Sequence, residues 1–171
     1  GTGKSTLARA LAGEMGAVVL RSDEVRKELA GIDRGQAAPA PLDEGLYRPS
    51  ATAATYAELL ERARRRLGGG ETVVLDASWR DRAWRDRAVA LARETCSDLV
   101  ELRCVAPLDV AVARVRERAR GGGDPSDATP EVVRAMAGAH DGWDSATVVD
   151  TSGAPGAAAA AALAAAGWRT M

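Results

Sequence analysis

The sequence predicts an α/β fold in which a parallel sheet lies between two layers of helices. Short apolar runs alternate with segments of helical periodicity along the whole chain. Strands that are separated by helices are joined by right-handed crossovers, and such strands run parallel. With 171 residues, 46% of them hydrophobic and 27% charged, the chain has the size and composition of one folded domain. We therefore expect residues 1–171 to form a single domain.

The order of the elements can be taken from the pattern of apolar residues. Four short apolar runs predict strands at residues 17–20, 72–76, 99–105 and 146–150. Helical spacing of apolar residues predicts helices at residues 5–15, 22–29, 49–67, 81–95 and 107–120, and from residues 130 and 155 onward. Two prolines and three glycines predict a long loop over residues 31–48, and a glycine-rich stretch predicts a break at residues 121–127.

The first six residues, Gly-Thr-Gly-Lys-Ser-Thr, match the end of a phosphate-binding loop. In such a loop the backbone N–H groups, here those of Gly1, Thr2, Gly3 and Thr6, surround an anion at a helix N-terminus. Lys4 would reach the β- and γ-phosphates of a nucleotide, and Ser5 would place its hydroxyl on Mg²⁺. The first glycine of the full pattern, and the strand that leads into it, would lie upstream of residue 1. We therefore expect the chain to be N-terminally incomplete.

Acidic residues follow two of the predicted strands, at the sheet edge where ligands bind in open parallel sheets. Asp23 begins the helix after the strand at residues 17–20 and would accept the proton of an attacking hydroxyl. Arg26, one helical turn later, would hold a polar or anionic acceptor. The alternative for Asp23 is a first-turn acid favoured by the helix dipole. Asp76 ends the apolar run Val-Val-Leu-Asp, as in a Walker B strand, and would orient Mg²⁺.

Arg114 and Arg118 lie four positions apart, on the helix that leads into the glycine-rich break. On a closing lid they would neutralise charge on a transferring phosphoryl group. An ordinary solvated helix face explains them equally well, and it is the preferred reading for the neighbouring Arg116 and Arg120. Thr151 follows the last strand in a loop that would border the adenine of a nucleotide, although turn chemistry alone also explains this segment.

Other features carry less functional information. One five-residue sequence occurs twice in succession, as Trp79-Arg80-Asp81-Arg82-Ala83 and again at residues 84–88. Its tryptophans and arginines could stack on single-stranded bases, but we favour the alternative that the repeat forms an exposed helix face. His140 is expected to be a surface or capping residue. Cys96 and Cys104 are expected to be buried, reduced thiols, which favours a cytoplasmic location.

Charge and hydropathy argue against two classes of partner. The net charge of −1 argues against a general polyanion binder, and so against nucleic acid as the partner. No apolar run approaches the roughly 18 residues that would predict a membrane span.

Together these motifs resemble the P-loop kinases related to gluconate, shikimate and polynucleotide kinases. The chain is most similar to the AAA-type ATP-binding domain of actinobacteria that is often fused behind an aminoglycoside-phosphotransferase-like domain. The resemblance is carried, in the expected order, by residues 1–12, 20–27, 73–79, Arg114 with Arg118, residues 126–128 and residues 148–152.

The resemblance implies a three-layer P-loop NTPase fold with the strand before the loop at the centre of the sheet. That first strand is missing from this chain. It also implies ATP with Mg²⁺, a phosphate acceptor near Asp23 and Arg26, and a lid around residues 114–127. The expected function is a kinase that transfers the γ-phosphate of ATP to a hydroxyl of a small molecule. The alternatives are an ATP-binding regulatory module without turnover and a polynucleotide 5′-hydroxyl kinase.

Overall fold

The computed structural model describes residues 1–36, 38, 43–121, 126, 128–137 and 142–168. Within these residues the helices are α1 Lys4–Met15, α2 Ser22–Leu29, α3 Pro49–Gly68, α4 Arg82–Glu94, α5 Leu108–Gly121, α6 Pro130–Ala137 and α7 Pro155–Ala165. The strands are β1 Val18–Arg21, β2 Val73–Asp76, β3 Leu102–Val105 and β4 Thr147–Asp150. A short 3-10 helix, Gly45–Tyr47, lies within the predicted long loop. The alternation of strands and helices confirms the predicted α/β fold.

The strands form two parallel pairs rather than one continuous sheet. β1 pairs with β2, with Val18 opposite Val73 and Arg21 opposite Asp76. β3 pairs with β4 in the same parallel sense. Among the described residues β2 and β3 are not hydrogen-bonded to each other, which agrees with the expectation that a central strand is missing between them. We expect the strand upstream of the phosphate-binding loop to lie between β2 and β3, and its existence stays a prediction.

One layer of helices consists of α1 and α7. Leu7 and Leu11 of α1 pack with Val149 of β4 and with three buried alanines of α7. Val74 of β2 and Leu102 and Cys104 of β3 also face this cluster. The alanine-rich sequence of α7 suits this position because small side chains allow two helices to approach closely, and α1 and α7 are in extensive contact.

The opposite layer is built around α3, with α2 and α4 beside it. Tyr56, Leu59, Leu60 and Ala63 form the buried face of α3, and Leu59 and Ala63 are 0% exposed. Val73 and Leu75 point to this side, whereas Val74 between them points to the first layer. This alternation along β2 places helices on both faces of the strands, as a three-layer arrangement requires.

Several element boundaries differ from those predicted. Leu99 and Val100 were expected to begin a strand, but β3 begins at Leu102 and both side chains are more than two-fifths exposed. Cys96 lies just beyond the end of α4 in a left-handed conformation (φ 51°) and is exposed, so the prediction that it is buried was wrong. Cys104 is half-buried in β3.

The tryptophan-arginine repeat is only partly an exposed helix face. Arg82 and Asp86 are exposed and form an ion pair one turn apart on α4. Trp79 and Trp84, in contrast, pack against Tyr56, with ring centroids 5.2 Å from its ring. The prediction of an exposed face was therefore wrong for these tryptophans, whose partly buried rings pack against the hydrophobic core.

Some predicted features lie outside the described residues, namely His140, the prolines at positions 39 and 41, and most of the glycine-rich break. Within the described part of the chain, no helix is both long enough and apolar enough to cross a membrane.

Candidate active site

The phosphate-binding loop packs tightly against the ends of two other elements. Gly3 has a φ of 75°, which L side chains rarely adopt, and its carbonyl accepts the Leu7 N–H at the start of α1. A Cβ at Gly3 would lie 3.2 Å from the Cβ of Thr151, and one at Gly1 would lie 2.3 Å from the carbonyl oxygen of Ala111. The loop therefore requires glycine at both positions.

Thr151 holds the phosphate-binding loop through its side-chain hydroxyl. It follows β4 and is 6% exposed. Its Oγ1 lies 2.7 Å from the carbonyl oxygen of Thr2 and 2.8 Å from that of Val105, at the end of β3. Its N–H also donates to the Val105 carbonyl, at 2.9 Å. Thr151 thus joins the phosphate-binding loop to the β3–β4 pair, and the contact of its loop with adenine stays a prediction.

The two predicted Mg²⁺ ligands, Ser5 and Asp76, are brought together by a third residue. Arg21, the last residue of β1, donates from Nε to Asp76 Oδ2 at 3.1 Å and from Nη2 to Ser5 Oγ at 3.0 Å. Asp76 is almost completely buried, and the Arg21 side chain is 12% exposed. The sequence analysis assigned no role to Arg21, although its register opposite Asp76 follows from pairing the two strands.

The donor set at this point fits a magnesium ion. A hydroxyl and a carboxylate oxygen within reach of one guanidinium are hard oxygen ligands, and Mg²⁺ usually takes one or two such ligands with phosphate oxygens and water. Among the described residues no group of three or more His, Cys, Asp or Glu side chains is placed to bind a metal alone. Ser5 and Asp76 are therefore suited to hold Mg²⁺ together with a nucleotide.

Asp23, the predicted base, stands in the first turn of α2. Burial is the main cause that raises its pKa above the usual value, and the negative charge of Asp76 adds to this. A hydrogen bond from Ser126 and the positive charges of Arg26 and Lys4 act in the opposite direction. Lys4, Asp76 and Asp23 thus lie close enough to interact electrostatically. Ser126, from the predicted lid, is a contact that sequence reasoning missed.

Arg26 is 7% exposed and is already engaged in holding the neighbouring segment. Its Nη1 donates to the Leu46 carbonyl at 2.8 Å and to Thr52 Oγ1 at 3.2 Å, and its guanidinium lies 4.7 Å from the centroid of the Tyr47 ring. Its Nε is buried and has no hydrogen-bond partner within the described part of the chain. Arg26 therefore holds the segment around Leu46 and Thr52 against α2, close to Asp23.

The predicted lid arginines differ from their neighbours on α5 in the expected way. Arg114 and Arg118 are half-buried, whereas Arg116 and Arg120 are exposed. Arg114 donates from Nη2 to the Ser152 carbonyl at 3.1 Å, and its Nη1 lies next to Gly3 of the phosphate-binding loop. The buried Nη1 of Arg114 and Nη2 of Arg118 have no partner among the residues described. Arg114 thus directs a free donor toward the loop.

A second buried arginine fixes the segment after Asp76. Arg85 is 5% exposed and donates from Nη1 to the carbonyls of Trp79 and Arg80, and from Nη2 to that of Gly142. The Tyr56 hydroxyl accepts the Trp79 N–H at 3.1 Å, which holds the same segment from the side of α3. Sequence reasoning missed both residues because nothing in the local pattern shows that they meet this segment.

The fold and the site are those of a P-loop domain. A gluconokinase from Sinorhizobium meliloti superposes with a TM-score of 0.65 and 22% identity over 98% of this chain and 86% of its own. A sugar kinase from a Janibacter species superposes with a TM-score of 0.67 and 21% identity, covering 96% of this chain and 87% of that protein. At this level of identity the similarity establishes the fold.

The family follows from the sequence comparison. A family model described as an AAA domain matches residues 1–142, and the chain belongs to this P-loop family. Uncharacterised proteins of Mycobacterium bovis and of two Mycobacterium tuberculosis strains are 44% identical over 155 residues, which is 90% of this chain. The chain spans 30% of the length of these relatives.

Proposed function

We propose that the protein is an ATP-dependent kinase that transfers the γ-phosphate to a hydroxyl group of a small molecule. The observation that carries the proposal is the meeting of Ser5, Asp76 and Asp23 at the ends of β1 and β2. A phosphate-binding loop alone is compatible with any nucleotide-binding protein. A carboxylate beside it, placed to accept the proton of a hydroxyl, is a feature that transfer to a hydroxyl uses and that simple nucleotide binding does not need.

Each side chain would have one task in the transfer. The loop N–H groups and Lys4 would bind the β- and γ-phosphates, and Arg114 would add its unpartnered Nη1 at the same loop. Bound Mg²⁺ would supply positive charge to the phosphate oxygens, with Ser5 and Asp76 as its protein ligands. Asp23 would orient the acceptor hydroxyl and take its proton, and a raised pKa brings this carboxylate nearer to the neutral range where a base works best.

The surroundings of Asp23 support a pocket for a small polar acceptor. Arg26, Tyr56 and Asp23 interact electrostatically, and Ser126 hydrogen-bonds to Asp23 from the lid side. We therefore expect the acceptor to be a polar molecule, because polar and charged side chains surround Asp23.

The test is phosphoryl transfer by the full-length protein with γ-labelled ATP, Mg²⁺ and a panel of sugars, aminoglycosides, nucleosides and 5′-hydroxyl oligonucleotides. We expect label on one small-molecule acceptor, and we expect Asp23→Asn to remove this transfer while sparing ATP affinity. Asp81→Asn is the matched control, because Asp81 caps α4 by accepting the Ala83 N–H and asparagine is an equally good cap.

Two results would direct the assignment elsewhere. ATP binding without transfer to any acceptor, and unaffected by Asp23→Asn, would indicate a nucleotide-binding regulatory module. Label on the oligonucleotide, with steep salt dependence of acceptor binding, would indicate a polynucleotide kinase.

A further inference from the structure

Arg21 binds one side-chain oxygen of each of the two residues that the proposed kinase would use as metal ligands. Its Nε binds Asp76 and its Nη2 binds Ser5, at 3.1 and 3.0 Å. A guanidinium that spans two oxygens acts as a fixed cation on both of them. The sequence and the family comparison assign no function to this residue.

Arg21 in this position and a metal ion on the same oxygens repel each other. An Mg²⁺–oxygen bond is about 2.1 Å long, so an ion on Ser5 Oγ would lie within about 5 Å of the Arg21 Nη2 atom. Two positive charges at this distance repel strongly, because the surroundings are largely buried and screen them weakly. The Ser5 hydroxyl also has one lone pair fewer for the metal while it accepts a hydrogen bond from Arg21.

Arg21 has a further acidic partner that it can keep when a metal ion displaces it from Asp76 and Ser5. Glu24, in the first turn of α2, already forms an ion pair with Arg21, with its Oε1 3.7 Å from Arg21 Nη1, and it is more exposed than Asp76. The other oxygen of Glu24 pairs with Arg34, in the segment after α2, at 3.2 Å. Glu24 is therefore a ready partner for a displaced guanidinium, and it links Arg21 to the chain segment beyond α2.

We infer that Arg21 is a built-in competitor of the metal ion. In the metal-free state it neutralises Asp76 and holds Ser5, and metal binding transfers its guanidinium to Glu24. This role rests on the proposed kinase function, since it takes Ser5 and Asp76 as the metal ligands. Its consequence is a low affinity for the divalent ion until a nucleotide adds its phosphate oxygens.

The test is the binding of Mn²⁺ alone to the full-length protein, measured from the free-ion signal in electron paramagnetic resonance. We expect Arg21→Gln to bind Mn²⁺ at least about tenfold more tightly than the wild type, because the competing charge is gone. Asp76→Asn in the Arg21→Gln background should abolish the gain, which locates the ion. Arg64→Gln is the matched control: it removes the same charge from a surface ion-pair cluster with Glu61 and Glu94 and should change nothing.

Glu24→Gln gives an independent test that keeps Arg21 in place. With its alternative partner weakened, Arg21 should stay on Asp76 and Ser5, and Mn²⁺ should bind about threefold more weakly. Because Glu24 also attracts a cation directly, a loss of affinity agrees with the competition, whereas an unchanged affinity refutes it even if Arg21→Gln does not fold. Unchanged Mn²⁺ affinity in Glu24→Gln, or equal or weaker Mn²⁺ binding in a folded Arg21→Gln, would overturn the competition.

A parallel titration with Mn²⁺ and a non-hydrolysable ATP analogue separates this inference from the proposed function. If the analogue binds with Mn²⁺ but neither variant shifts Mn²⁺ affinity, the role of Arg21 is refuted and the kinase proposal stands. If no variant binds Mn²⁺ even with the analogue present, both are refuted.

Discussion

Replacing Thr151 by valine tests whether a residue outside the phosphate-binding loop determines how well the loop binds. Valine has almost the same shape as threonine, so the tight packing of this buried residue against Gly3 is kept. What is lost is the hydroxyl that lies 2.7 Å from the Thr2 carbonyl and 2.8 Å from the Val105 carbonyl. The substitution therefore removes a hydrogen bond between the loop and the strand ends with little change in volume.

The expected effect follows from the strength of one buried hydrogen bond. Losing it costs about 1 kcal/mol, and more where a buried carbonyl is left unpaired. If this energy holds the loop ready for the phosphates, its loss weakens nucleotide binding about fivefold, since 1.4 kcal/mol corresponds to a factor of ten. The measurement is the anisotropy of a fluorescent ATP analogue titrated with the full-length protein in Mg²⁺.

Thr151→Ser provides the control because it keeps the hydroxyl and loses only the methyl group. We expect this variant to be less stable to heat and yet to bind the nucleotide as the wild type does. Wild-type affinity in Thr151→Val, or an equal loss of affinity in both variants, would show that the hydroxyl does not hold the loop for binding.

Three further predictions concern stability and pH. Gly3→Ala should lower stability by about 1 kcal/mol or more, measured by thermal melting, because φ is 75° and the new methyl would meet Thr151. Tyr56→Phe should destabilise by about 1 kcal/mol in denaturant titrations, since it leaves the partly buried Trp79 N–H without its acceptor. Burial raises the folded-state pKa of Asp23, so its ionisation weakens the fold as pH rises above the unfolded value of 3.8. The melting temperature of Asp23→Asn minus that of the wild type should therefore increase between pH 4 and pH 7. A difference that does not change with pH would refute this.

Local pattern was sufficient for the helices and strands. The helix start at Pro49, the alanine-rich helix from Pro155 and the four apolar strands all occur where the sequence predicts them, with shifts of a few residues. Proline at a first helical position and short β-branched runs are signals that depend on neighbouring residues only. The predictions were wrong where they depended on burial: Leu99 was expected in a buried strand and Cys96 in the core, and both are exposed. The sequence does not show which apolar side chains the rest of the fold covers.

Some residues of the candidate site could also be predicted from the sequence, whereas others became apparent only in the structure. The loop residues, Asp23 and Asp76 could be named from the sequence because the chemistry of phosphate and metal binding requires those residue types at those positions along the chain. Arg21, Arg85 and Thr151 each bind partners far away in the chain: Ser5 and Asp76 for Arg21, Gly142 for Arg85 and Thr2 for Thr151, at separations of 16 to 149 positions. Such contacts are fixed by strand register and helix packing, which no local pattern contains.

The sequence by itself thus determined the order of elements, and it predicted which residues would bind phosphate and metal. The tertiary structure alone decided the register of each strand pair and placed a guanidinium on both candidate metal ligands. The reason is physical: local propensity and chemical type are properties of each segment, whereas pairing, burial and charge neighbours depend on how distant segments pack together.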